Sequence, residues 1–228
     1  MVILFCLFHD LQFYQNIDLY IISLEIKDIM ISNIIQFLIM LNPFAMYLYL
    51  QPVMQELDTK TFFKVLAKAT IISFLIFSIF IFGCNLLIDR IFQINIESFR
   101  VFGGIIIFSY AYYFIIKGEK AYVFMKGNLD DLASEIALPF MVGAGTITLS
   151  LFLGYNGHDF LGAIIVLVTL IVNLIMILIL KFFKEYINKK RYKIAFDKNM
   201  EILLRLNGFF IGAIGINMIR IGIENLYL

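Results

Sequence analysis

Two short stretches, Leu41-Asn42-Pro43-Phe44-Ala45 and Val142-Gly143-Ala144-Gly145-Thr146, put helix breakers in the middle of long apolar segments. Proline has no amide hydrogen and crowds the preceding turn, while paired glycines loosen the backbone. In a bilayer a freed amide or carbonyl persists only where protein or a wet cavity receives it. The chemistry on offer is that of two half-helix ends, amides of partial positive character and carbonyls of partial negative character. A zwitterion matches that pair: its carboxylate would sit on amides near Phe44 to Tyr47 or Gly145 to Ile147, its ammonium on carbonyls near Leu41 or Met141. The small residues Ala45, Gly143, Ala144 and Gly145 leave space for a small side chain. Asn42, Pro43, Phe44, Ala45, Gly143, Ala144, Gly145 and Thr146 are the expected solute-binding residues.

Oxygen donors accompany the breaks. Asn42, Thr146, Thr148 and Ser150 suit a hard cation such as Na⁺, and Thr148 and Ser150 are the expected cation ligands. A proton-coupled carrier usually keeps a carboxylate or histidine inside the membrane. None is central in the first five apolar runs: Asp89 and Glu135 are terminal and His158 stands in a turn, so Na⁺ is favoured over H⁺, with uncoupled exchange open. An enzyme would need convergent His, Asp, Glu or Cys groups. His9, His158, Cys6 and Cys84 supply no such set and no metal spacing, so no catalytic residue, metal site or cofactor is expected. Bland readings stand beside these: a lone Pro in a membrane helix is more often a kink, and the Thr hydroxyls can bond back to their own helix. Recurrence of the break in both halves favours a site.

The elements that must position these residues follow from composition. Of 228 residues 62% are apolar and only 15% charged, which is membrane composition, and a net charge of +1 gives no reason to expect nucleic acid. With no Trp, an interfacial belt must come from Tyr. Residues 1–29 contain no run of the ~20 apolar residues that a span requires, and read as an N-terminal extension, an interfacial helix, or a segment ahead of a true start at Met30. Six apolar runs follow: Ile29 to Gln55, Phe62 to Asp89, Arg100 to Lys117, Ala133 to Tyr155, Leu161 to Leu180 and Glu201 to Leu226. Gly118 to Leu132 reads as a polar loop, Leu161 to Leu180 as a wall helix, and Gly208, Gly212 and Gly215 as a stripe for close helix approach. Basic residues gather in the first, third and fifth connectors, which the positive-inside rule makes cytoplasmic, with both termini outside.

Aligning the breaks exposes a repeat. Arg100 lies 58 residues after Asn42 and Arg205 lies 62 after Gly143, each followed at the third position by a glycine, Gly103 and Gly208. Each half is a broken span, a plain span and a span opening with Arg-x-x-Gly. Three crossings per half make the repeat inverted in topology, so that two three-helix units, 30–117 and 133–228, meet at a midplane site. The expected fold is an all-α membrane protein of six transmembrane helices, the first and fourth interrupted.

From about Met30 to the C-terminus the chain resembles the MarC family of six-span integral membrane proteins. The matching points are Asn42-Pro43, Arg100 with Gly103-Gly104, Pro139 followed by Gly143-x-Gly145, and Arg205 with Gly208. It departs from the family at Ala45, where a Gly tends to follow Asn-Pro, and at Ala144, where a Gly-Pro-Gly-Ala-like element has proline. The resemblance implies transport of neutral amino acids across the cell membrane, with Arg100, Gly103, Gly104, Pro139, Arg205 and Gly208 as structural or gating residues. Exporters of drugs or metabolites, and passive assembly proteins, are the competing classes. Direction, oligomeric state and the particular amino acid are not readable from the residues.

Overall fold

The computed structural model describes residues 27–117, 129–155, 159–187 and 189–227, and within these every regular element is helical. Helix α1 covers 27–41, and after Asn42 the same apolar run continues as α2 (Pro43–Tyr49) and α3 (Gln51–Glu56). Then come α4 (Thr59–Phe82), a π-helical turn (Leu86–Phe92) and α5 (Ile96–Lys117). The remainder is α6 (Leu129–Ile136), a second π-helical segment (Ala137–Met141), α7 (Ala144–Tyr155), α8 (Asp159–Tyr186) and α9 (Lys190–Tyr227).

Five stretches, Lys27–Tyr49, α4, Ile96–Ile116, α8 and α9, are long and apolar enough to cross a membrane, and α7 is a shorter apolar helix. Their exposed faces are hydrocarbon: Ile71, Leu75 and Ile79 follow one another at every fourth position of α4, as Ile171, Ile175 and Ile179 do on α8. Such rows turn to lipid in a helix whose opposite face is packed. Asp58 caps α4, its Oδ2 accepting from the amides of Lys60 and Thr61 at 3.2 and 3.3 Å. Hydrogen bonding from Thr61 holds the Asp58 carboxyl below its usual range.

The core is made by cross-packing. α2 lies on α8 and α9, whereas α7 lies on α4, α5 and α8, and α4 packs on α8. The tightest pair is α5 with α9, which run antiparallel. A Cβ on Gly104 would stand 2.7 Å from the Gly215 carbonyl oxygen, and one on Gly215 would stand 2.9 Å from the Gly104 carbonyl oxygen. Gly222 repeats the approach at the Glu97 carbonyl, 3.1 Å away, so small residues let the two backbones nearly touch. The predicted stripe is thus displaced: Gly208 and Gly215 belong to it, Gly222 extends it, and Gly212 meets only the Ala111 methyl.

Several expected boundaries shift. The extension 1–29 falls almost entirely on 1–26, outside the described residues, while Lys27 to Met30 are already helical. Of the loop 118–132, residues 118–128 are likewise outside, and 129–132 are the first turn of α6. Helix α9 starts at Lys190, so the basic run before Glu201 is helix, drawn in because α9 continues without a breaker. The helix expected as a wall, Leu161 to Leu180, turns its two polar residues inward: Thr169 and Asn173 are fully buried. Cys84 is a buried small residue as composition suggests, its Sγ–H donating to the Leu151 carbonyl at 3.1 Å.

Candidate functional site

The first break is built on Asn42, which takes the left-handed conformation (φ 48°, ψ 74°) that asparagine tolerates better than most residues. Its Oδ1 accepts from the Ala45 amide at 3.1 Å and so caps α2. In an unbroken helix that amide would have gone to the Leu41 carbonyl. Pro43 removes a second bond, the one that the Ile39 carbonyl would have received. Asn207 on α9 replaces it, donating from Nδ2 to the Ile39 oxygen at 2.9 Å. The Asn42 Nδ2 is itself buried without a partner.

The second break is built on Thr146. In the π-helical segment, which contains Pro139, the Val142 amide reaches back to Ala137 O at 2.8 Å, and the ladder then stops. The Thr146 hydroxyl accepts from the Gly143 amide at 2.9 Å and lies within donating distance of two carbonyls, Met141 at 3.0 Å and Gly143 at 2.9 Å. α7 starts afresh at Ala144. The amides of Ala144, Gly145 and Thr146 are its first turn, where no intrahelical acceptor exists.

The two breaks come together. A Cβ on Gly145 would run into the Met40 side chain, two residues ahead of Asn42, and would stand 2.8 Å from Ile107 of α5. Around Gly143 the opposite holds, because a Cβ there would meet nothing within 4 Å. That open side is a cavity of about 90 Å³ lined by Gly143, Ala144, Gly145 and Thr146, with Met40, Met141, Tyr110, Phe114 and Ile211. It has room for about three waters, or one solute of glycine size. Of the predicted binding residues, the second break reaches the cavity. Asn42, Pro43 and Ala45 are packed into the core beside it, and Phe44 is half-buried; none of the four lines it.

A family model described as MarC family integral membrane protein matches residues 27–227. The chain belongs to the MarC family. Among relatives of this MarC protein, the UPF0056 membrane protein YvbG of Bacillus subtilis is 28% identical over 172 residues, covering 70% of this chain and 77% of its own. The UPF0056 membrane protein PH0214 of Pyrococcus horikoshii is 22% identical over 204 residues, covering 89% and 96%. No solved structure matches it significantly.

The other predicted residues of the MarC chain have separate surroundings. Thr148 Oγ1 and Ser150 Oγ each donate at 2.8 Å to their own helix, at Ala144 O and Thr146 O, and neither lines the cavity. Thr148 is held against Gly103, where a Cβ would stand 2.6 Å from its Oγ1. Gly104 serves the α5–α9 contact and Gly208 the same pair about two turns further on, against Ala111 and Ile115. Arg100 stacks on the Phe152 ring at 4.3 Å and stands 3.2 Å from Glu97 Oε2, close but not aligned for a hydrogen bond. Arg205, paired with it by spacing in the sequence, is exposed, so the two arginines differ in their contacts.

Sequence reasoning passed over Asn207 altogether and gave no role to Asp197. Asp197 on α9 accepts from Gln51 Nε2 at 3.0 Å and the Tyr47 hydroxyl at 3.4 Å, and pairs with Lys184 Nζ at 2.9 Å. It ties the first broken segment to α8 and α9 at the far side of the break. Asn207 had one readable signal: an amide buried in an apolar helix must find a partner.

Proposed function

We propose that this MarC protein is a secondary transporter of small neutral amino acids, glycine or alanine in size, working by alternating access about the paired breaks. The observation that carries the reading is the open side of Gly143. At that point the first amides of a membrane helix, a hydroxyl and a small cavity converge on a volume suited to a small dipolar solute. The solute carboxylate would lie on the amides of Ala144 to Thr146, where the helix end favours negative charge. Phe114 and Ile211 would limit the side chain.

The cross-packing supports an inverted repeat of six crossings. The first broken segment rests on helices of the second half, and α7 rests on α4 and α5 of the first. Such an arrangement lets one half rock against the other about a midplane site. The proposed setting is the cell membrane with both termini outside, a lipid bilayer as surroundings, no nucleic-acid partner and no catalytic chemistry. Na⁺ is the proposed coupling ion, with H⁺ as the other arm of the test.

The test is uptake of labelled glycine, alanine and serine into proteoliposomes under Na⁺ and proton gradients imposed one at a time. Flux of glycine or alanine above protein-free vesicles is expected. Efflux of bulky apolar compounds with no amino-acid flux would replace this reading with that of an exporter.

A further inference from the structure

A second site lies away from the breaks, in the groove between the first turns of α4 and the last turns of α8. Its volume is about 830 Å³, within the range of about 300–1,000 Å³ common for ligand sites. The two helix ends are fastened to each other at its base, where Lys181 Nζ stands 3.1 Å from Thr59 Oγ1. Phe63, Ile179 and Phe182 form the apolar wall, and Phe182 is 69% exposed. Lys60 and Lys64, one helical turn apart, stand at the mouth, both exposed and neither in an ion pair among the described residues. Glu185, the only acid among the described lining residues, is already paired with Lys181 at 2.9 Å.

We infer that this groove binds an anionic phospholipid, with its phosphate between Lys60 and Lys64 and an acyl chain along Phe63, Ile179 and Phe182. The groove sits where two membrane-spanning helices end, at the level of lipid headgroups, and its charge and apolar wall are arranged as the two ends of such a lipid are. Basic pockets between spans are suited to anionic headgroups for this reason. A peptide or soluble anion would use only one of the two features. The inference does not depend on what the protein transports.

The experiment is native mass spectrometry of the delipidated full chain in detergent. It is titrated with dioleoyl phosphatidylglycerol, dioleoyl phosphatidylcholine or inorganic phosphate. Phosphatidylglycerol is expected to bind most tightly. Lys60→Gln with Lys64→Gln should weaken it about tenfold and leave phosphatidylcholine unchanged. A charge-matched pair on α9, Lys190→Gln with Arg191→Gln, should change neither, and Phe182→Ala should weaken both lipids. Equal binding of the two lipids by the unmodified chain would overturn the inference. So would an equal loss in both charge pairs, binding of phosphate as tight as that of the lipid, or a dimer that phosphatidylglycerol does not displace.

Discussion

Asn173 on α8 directs its Nδ2 at the sulfur of Met46 on α2, 3.4 Å away, while its Oδ1 is buried without a partner. Ser73 on α4 lies 3.2 Å from the sulfur of Met141 at the second break, with the Ala69 carbonyl of its own helix also within donating distance at 2.9 Å. α4 and α8 therefore each touch an interrupted segment distant in the chain through a thioether, a weak acceptor on a flexible side chain. Such a contact costs little to break.

Replacing Asn173 by Leu removes a half-satisfied amide from the core, an exchange that is near neutral or stabilising when shape is kept. The expected result is an unchanged or raised thermal midpoint in detergent, together with flux at least several-fold lower. A fall in both would mark Asn173 as a packing residue only.

Gly143→Leu fills the cavity without meeting neighbouring atoms at its Cβ. Flux of glycine should be lost while the thermal midpoint stays within about 2 °C of the parent, since away from contacts substitutions usually cost within ±0.5 kcal/mol. Retained glycine flux would remove the cavity from the transport path.

Gly154→Ala provides the contrast. A Cβ there would collide with the Ile81 carbonyl, a backbone group that cannot rotate away. Overpacking of this kind costs about 1–3 kcal/mol. Denaturation should show the loss directly, and whatever protein remains folded should transport with the parent's solute preference.

Asn207→Leu leaves the Ile39 carbonyl with no donor in a medium that has no water to offer. A stability loss of about 1–3 kcal/mol is expected. A double variant restoring the helical amide by Pro43→Ala should recover part of it. Additive losses in that pair would show that the two sites are not linked.

Lys184 and Asp197 are partly exposed, at 21% and 28%, so their coupling should be no more than about 1 kcal/mol. A double-mutant cycle with Lys184→Ala and Asp197→Ala measures it. The coupling should shrink as salt is raised, and a salt-independent value would mean the pair is more deeply enclosed.

Two breaks and their places were legible because Asn-Pro and Gly-x-Gly act on their own local backbone. The helical class was equally legible, since a chain this apolar must satisfy its peptide groups within each segment. Boundaries were less so: the first turn of α6 and the basic start of α9 carry no apolar signal, and α9 simply runs on. The surroundings of the two arginines were not legible, because a helix position says nothing of which neighbour it meets. Arg100 finds Phe152 and Glu97, whereas Arg205 faces outward.

By itself the sequence determined where the two interrupted helices break, because missing amides and flexible glycines are properties of single residues. Only the tertiary structure decided which break opens on a cavity and what receives the groups the other sets free. Asn207 and Ile39 are 168 residues apart, and the space beside Gly143 is left by α5 and α9 as they pass it. Both depend on how distant surfaces fit, and no local run of residues encodes that fit.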